Sequence, residues 1–265
     1  MTVPVQRFVR RRRADGVVTV ELLNAKSMNI LGSEATQELT AEFRRLSRED
    51  DCRVIVLRGT GDKAFIGGAD IYEMAGLDQA AAEAFIGRLA ALCEAVRACP
   101  VPVIARLSGW CLGAGLEVAV SCDLRVAGAG ATFGMPEVTV GIPSVIHAAL
   151  IPAMIGASRA AWLLLTGETI DAECALSWGL VEEVTPVAEL DAAVEACVAD
   201  ILACGAAAIR TQKSLIAAWE TLPLGEAITA GIEAFADAYR TDEPKRMMAE
   251  FLGARAARKG AGLGG

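Results

Sequence analysis

A strand, a glycine turn and a helix follow one another between Val103 and Val120, and this succession most constrains the fold. Val103-Ile104-Ala105-Arg106-Leu107 is an apolar run of strand length; Gly113 and Gly115 follow, and Leu116 to Val120 reads as helix carrying one carboxylate, Glu117. A chain that turns from a buried strand into a helix is building an α/β layer. The same alternation recurs. Val17 to Leu22 reads as a strand, and Leu39, Phe43 and Leu46 then repeat at helical spacing behind Ser33, the expected N-cap. Val54-Ile55-Val56-Leu57 is continuously apolar, as in a strand covered on both faces. Phe85, Leu89, Leu92 and Val96 share a helical face that ends before Pro100 and Pro102. Leu124 to Ala127 and Leu180 to Val184 supply further strands, and Ser144 is the expected cap of an apolar helix from Val145 to Ile155. The expectation is an α/β core with parallel strands over residues 1–190. Residues 191–265 are read as a helical region, because the pattern beyond Pro186 is helical to the end.

The glycine turn also carries chemistry. The first amides of a helix have no intrahelical partner and sit in the positive potential of the helix dipole, which suits an oxygen that carries or gains negative charge. An acidic residue in a first turn is also simply favourable electrostatically, so scaffold and site readings stand together at this point. A second carboxylate, Glu137, sits in the apolar stretch Phe133-Gly134-Met135-Pro136-Glu137, and Gly59 to Asp70 reads as a long loop. Long ordered loops are usually functional. Neither a dinucleotide fingerprint nor a Gly-Lys-Ser/Thr phosphate loop occurs.

Composition narrows the classes. A chain that is 54% hydrophobic and 22% charged is not disordered, and a formal net charge of −8 argues against general nucleic-acid binding. Arg10 to Arg13 run against that balance, either as the charged edge of a hairpin turning at Asp15-Gly16 or, in a minority reading, as contacts to ligand phosphates. Eight cysteines without a Cys-x-x-Cys pair are used as small buried hydrophobes, and a single histidine, His147, rules out a histidine-rich metal cluster. With neither a transmembrane-length apolar run nor an apolar signal core, a cytoplasmic protein with no membrane partner is expected.

Four segments taken together resemble the crotonase superfamily, in particular the enoyl-CoA hydratases. They are Asn24 to Asn29, Ala64 to Ile71, Gly109 to Glu117 with Cys122-Asp123 behind it, and Phe133 to Glu137. The resemblance covers nearly the whole chain. It implies a spiral of ββα units followed by a helical trimerisation region, an acyl-CoA substrate, and no cofactor beyond the coenzyme A that the substrate carries. By the same resemblance the backbone amides of Ala69 and Ala114 hold the thioester oxygen. Glu117 takes a proton from water and Glu137 gives one to the α-carbon. Lys26, Met28, Gly67, Gly68, Ala69, Asp70 and Ile71 line the coenzyme A path, with Phe235 packing near it. A homotrimer or homohexamer is implied, with no nucleic acid and no metal. A Δ3,Δ2-enoyl-CoA isomerase is the alternative within the superfamily, and a non-catalytic RNA-binding scaffold the alternative outside it.

The chain departs from the pattern at two places. Ser144-Val145-Ile146-His147-Ala148-Ala149 stands where many hydratases have a glycine-rich turn, and Met135 stands where some carry a glutamine near the water. Both changes are expected to add bulk and remove hydrogen bonding near the acyl end. His147 and Trp110 are expected to be packing residues.

Overall fold

The computed structural model describes residues 7–23 and 28–261, with side chains as far as Arg255. Among these, the strands in chain order are β1 Phe8–Arg12, β2 Val17–Leu22, β3 Val54–Gly59, β4 Ala64–Ile66, β5 Val103–Leu107, β6 Trp110–Leu112, β7 Leu124–Gly128, β8 Thr132–Gly134, β9 Thr169–Asp171 and β10 Glu183–Thr185. The helices are α1 Ser33–Leu46, α2 Ile71–Met74, α3 Gln79–Arg97, α4 Ala114–Ser121, α5 Ile151–Ile155, α6 Ala157–Thr166, α7 Ala172–Trp178, α8 Leu190–Leu202, α9 Ala206–Trp219, α10 Leu224–Ala238 and α11 Glu243–Ala261. Pro136–Val140 and Ile146–Leu150 are 3-10 turns.

One sheet runs β1-β2-β3-β5-β7-β10 and is parallel except for the β1–β2 hairpin. A second runs β4-β6-β8-β9. The pairs β3/β4, β5/β6 and β7/β8 each put one strand in each sheet, so the chain winds forward by repeating a strand pair. The expected mixed α/β architecture is present, with helices at the C-terminal end. Val54, Ile55, Val103 and Ile104 are fully buried, as strands covered on both faces require. The second sheet was not legible. The stretch expected as one long loop after Gly59 contains β4, whose three residues are buried against β6.

Two capping expectations are corrected. The N-cap of α1 is Gly32; Ser33 is the first helical residue, and its amide donates to Glu73 Oε2 at 2.9 Å. The stretch after Ser144 is a 3-10 turn running into short α5, with Val145 rather than Ser144 at its start. Arg10 to Arg13 lie on the β1 edge and the turn after it, and each faces a carboxylate. Arg10 pairs with Glu42 and Glu49, Arg11 with Glu21, Arg12 with Glu49 and Asp51, and Arg13 with Asp15 and Glu195. That lattice is the hairpin-edge reading; all four charges are engaged within the chain.

The chain forms two compact units, Met1–Val198 and Ala199–Gly265. The sequence reading draws its line at 190, but Leu190, Val194 and Val198 of α8 are buried, which keeps most of that helix with the first unit. In the second unit α10 packs on α9 and carries Leu224, Ile228, Ile232 and Phe235 on one exposed face, the last 69% exposed. Trp110, expected to pack, is 40% exposed on β6. No single described helix is long and apolar enough to cross a membrane.

Candidate active site

The two glycines ahead of α4 have separate reasons. Gly113 is the N-cap and has φ +51, a left-handed value that L side chains rarely adopt, and a Cβ there would run into the Glu137 carboxylate. Gly115 lies inside the first turn, where a Cβ would meet the Ile66 carbonyl of β4. The first glycine makes the turn; the second lets the helix press against the strand. All eight residues of α4 are consequently buried, Glu117 among them at 3% exposure.

Burial is what governs Glu117. Loss of water raises its pKa to about 8, the Ala148 amide donating to Oε1 at 3.2 Å pulls it back in part, and the Glu137 charge pushes it up further. Glu137 approaches from the other wall, on the Pro136–Val140 turn, with proline at its first position and Gly141 closing it at φ +82. Its Oε2 accepts the Ser144 hydroxyl at 2.8 Å, and its Oε1 faces Gly113. The expectation of weaker hydrogen bonding at Ser144–Ala149 is therefore corrected. Ser144 and Ala148 each donate to one of the two carboxylates.

Both glutamates line one pocket, a cavity of about 290 Å³. Gly67, Gly68, Ala69 and Ala114 form part of its wall. Ala114 opens α4, so its amide belongs to the first turn and has no intrahelical acceptor. Ala69 pairs with Leu31 in a parallel bridge. Leu31 donates to Gly68 O at 2.9 Å and Asp70 donates back to Leu31 O at 2.9 Å. In such a bridge the Ala69 amide points away from Leu31.

The other proposed contacts divide. Ile71 lines the pocket and Met28 accepts from the Gly67 amide at 2.8 Å, but Asp70 is not part of the pocket wall. Its carboxylate caps α2, accepting from Tyr72 N at 2.9 Å and Glu73 N at 3.3 Å. Lys26 lies outside the described residues, and Phe235 belongs to the second unit, where its ring packs on Tyr239 at 5.4 Å.

Sequence reasoning missed Ser144 and most of the apolar wall. Met74, Phe85, Leu89, Val140, Ile142 and Val145 line the pocket. Phe85 and Leu89 carried only the signal of a helical core face, which a binding wall shares. His147 is buried and outside the pocket wall, with Nε2 3.0 Å from Glu94 Oε1. Burial lowers its pKa while Glu94 raises it, and among the described residues its Nδ1 has no partner.

Comparison with known proteins identifies the family. A family model described as enoyl-CoA hydratase/isomerase matches residues 12–258. A crotonyl-CoA hydratase of Syntrophomonas wolfei is 32% identical over 88% of this chain and 90% of its own. A short-chain-enoyl-CoA hydratase of Clostridium acetobutylicum is 30% identical over 90% and 92%. The solved enoyl-CoA hydratase of Mycobacterium smegmatis superposes with a TM-score of 0.91 at 28% identity, over 94% of this chain and 97% of that one. That of Bacillus anthracis does so at 0.90 and 29%, with the same coverage. With the match spanning nearly the whole chain and the fold in agreement, this chain belongs to the enoyl-CoA hydratase/isomerase family of enzymes.

Proposed function

We propose that this chain adds water across the α,β double bond of an acyl-CoA thioester, using Glu117 and Glu137 together. The observation that carries the reading is two carboxylates facing one largely apolar pocket, beside the wall formed by Ala69 and Ala114. The thioester oxygen is held by the Ala69 and Ala114 amides, each worth about 2.7–4 kcal/mol as negative charge develops on that oxygen. Water lies between the carboxylates. One accepts its proton as oxygen bonds to the β-carbon, the other delivers a proton to the α-carbon, and the pair ends with the single proton it began with.

By resemblance the acid is Glu137, whereas burial raises the pKa of Glu117 and so favours a proton there. A water bridging the two lets that proton change partners before addition. The acyl tail packs against Phe85, Leu89, Val140 and Ile142, and coenzyme A arrives with the substrate. By resemblance Met28, Gly67, Gly68, Asp70 and Ile71 border its path; Lys26, given the same role by that resemblance, lies outside the described residues.

The exposed apolar face of α10 is read as an interface, in a homotrimer or in a hexamer made of two trimers, with Phe235 of a neighbouring copy near the coenzyme A. Eight free thiols fit a reducing cytoplasm. The test is loss of conjugated enoyl-thioester absorbance over a panel of acyl-CoAs. Hydration of at least one member is expected. A double bond that shifts with no water gained would replace the reading with isomerisation. Light scattering at micromolar concentration should give a trimer or hexamer.

A further inference from the structure

Five consecutive residues, Ser144 to Ala148, hold both carboxylates from one stretch of backbone. The Ser144 hydroxyl donates to Glu137 Oε2 at 2.8 Å, and four residues on, the Ala148 amide donates to Glu117 Oε1 at 3.2 Å. Between them the backbone is bent sharply. Ile146 has φ +39, a value a β-branched residue adopts only when its surroundings impose it, and the Ala148 amide also donates to Val145 O at 2.9 Å. The next residue is anchored to a neighbouring helix. His147 is buried beside α3 with Nε2 3.0 Å from Glu94 Oε1. A neutral ring protonated at Nε2 donates that hydrogen bond and leaves only an unpaired lone pair at Nδ1, whereas a charged ring would leave a buried N–H without an acceptor.

We propose that Ser144–Ala148 is a positioning strap that sets the relative placement of Glu117 and Glu137, with Ser144 and His147 as its positioning residues. Ser144 acts directly on Glu137. His147 acts on Glu117 at one remove, pinning the turn to α3 through Glu94 so that the next amide in the chain stays aimed at Oε1. Neither residue is asked to touch substrate. The strap rests on the hydratase reading for what the carboxylates do, and on geometry alone for how they are held. Its logic is that two groups sharing one water lose rate steeply when their separation drifts by a fraction of an ångström.

Four full-length variants test it, in two pairs: Ser144→Ala with Ser144→Thr, and His147→Ala with His147→Gln. Threonine keeps the hydroxyl, and glutamine keeps a donor for Glu94. Each alanine variant should lose about 10- to 100-fold in kcat with KM nearly unchanged, and each conservative partner should recover most of it. A second readout needs no reaction: the carboxyl carbon shifts of 13C-labelled glutamates in the free protein, assigned with Glu117→Gln and Glu137→Gln. Ser144→Ala should move the Glu137 signal and spare Glu117, while His147→Ala should move the Glu117 signal. Alanine variants at full kcat, or falls in kcat that track lost folded protein without rescue, overturn the strap, as do carboxyl signals that stay in place. Failure of the wild type to hydrate any enoyl-CoA removes the hydratase reading and leaves the carboxyl shifts to decide the strap.

Discussion

The two walls that bring carboxylates to the pocket are built on opposite terms. The α4 wall is a helix with every residue buried, pressed onto β4 at Gly115, and Glu117 projects from it with 3% exposure. The Pro136–Val145 wall is a short 3-10 turn and its continuation, with Val138, Val140, Ile142 and Val145 all partly open to solvent. Glu137 is held there by one hydroxyl. Rigid packing thus costs the first carboxylate its water and raises its pKa, while the second relies on a local hydrogen bond for its aim. One wall excludes water from its carboxylate; the other leaves its neighbours partly open to it.

The largest effect should come from removing either carboxylate. Glu117→Gln and Glu137→Gln should each lower kcat by about 10²- to 10⁴-fold, the usual range for a general acid or base. Glu117→Gln should leave the fold intact, because its amide keeps an oxygen for Ala148 N. Normal turnover by either variant would end the two-carboxylate mechanism and reduce the contrast between the walls to packing.

Ala114→Pro comes next. Ala114 is the first residue of α4, where proline's fixed φ is tolerated, so the substitution deletes the amide with little harm to the helix. A loss of about 10²- to 10³-fold is expected, against a mild effect for Ala114→Gly, which keeps the donor. Equal activity of the two variants, both folded by circular dichroism, would remove the α4 wall from oxyanion binding.

The pH profile sharpens the comparison further. Addition by the proposed route needs a proton on the carboxylates, and burial raises the pKa of Glu117 to about 8. The profile of kcat/KM should therefore fall as pH rises through that value, about tenfold per unit beyond it. A profile that rises through 8 would mean that the doubly ionised pair is the active form.

Stability should register the same burial in a measurement that needs no substrate. The folded pKa of Glu117, about 8, lies above the ordinary 4.5, which at full strength corresponds to roughly 5 kcal/mol between its protonation states. Below about 4.5 the acid form folds without this cost. The cost grows as pH rises and is complete above about 8. Thermal melts should accordingly show Glu117→Gln more stable than wild type at pH 9 and nearly equal to it at pH 4.5. No gain at high pH would mean that water reaches the α4 wall as freely as the other.

Much of this was legible because it is local. Continuous apolar runs at Val54–Leu57 and Val103–Leu107 announce buried strands, helical spacing places Leu39, Phe43, Phe85 and Leu89 on inward faces, and the four motif segments carry the family. Periodicity and backbone chemistry are properties of neighbours in the chain. Strands of three residues such as β4, β6 and β8 offer no period to read, and they exist because each finds partners elsewhere. The same holds within the pocket. Ser144 has the form of a helix cap and becomes a hydrogen-bond donor only because Glu137 lies within 2.8 Å of it. Phe85 and Leu89 become a pocket wall only because a cavity lies over them. Residue types and local pattern thus determined the longer strands, the inward helix faces and the choice of the two carboxylates as candidates. Tertiary structure alone decided that the pKa of Glu117 is raised, because a pKa depends on the water excluded and the charges brought near, and the chain reveals neither until it closes on itself.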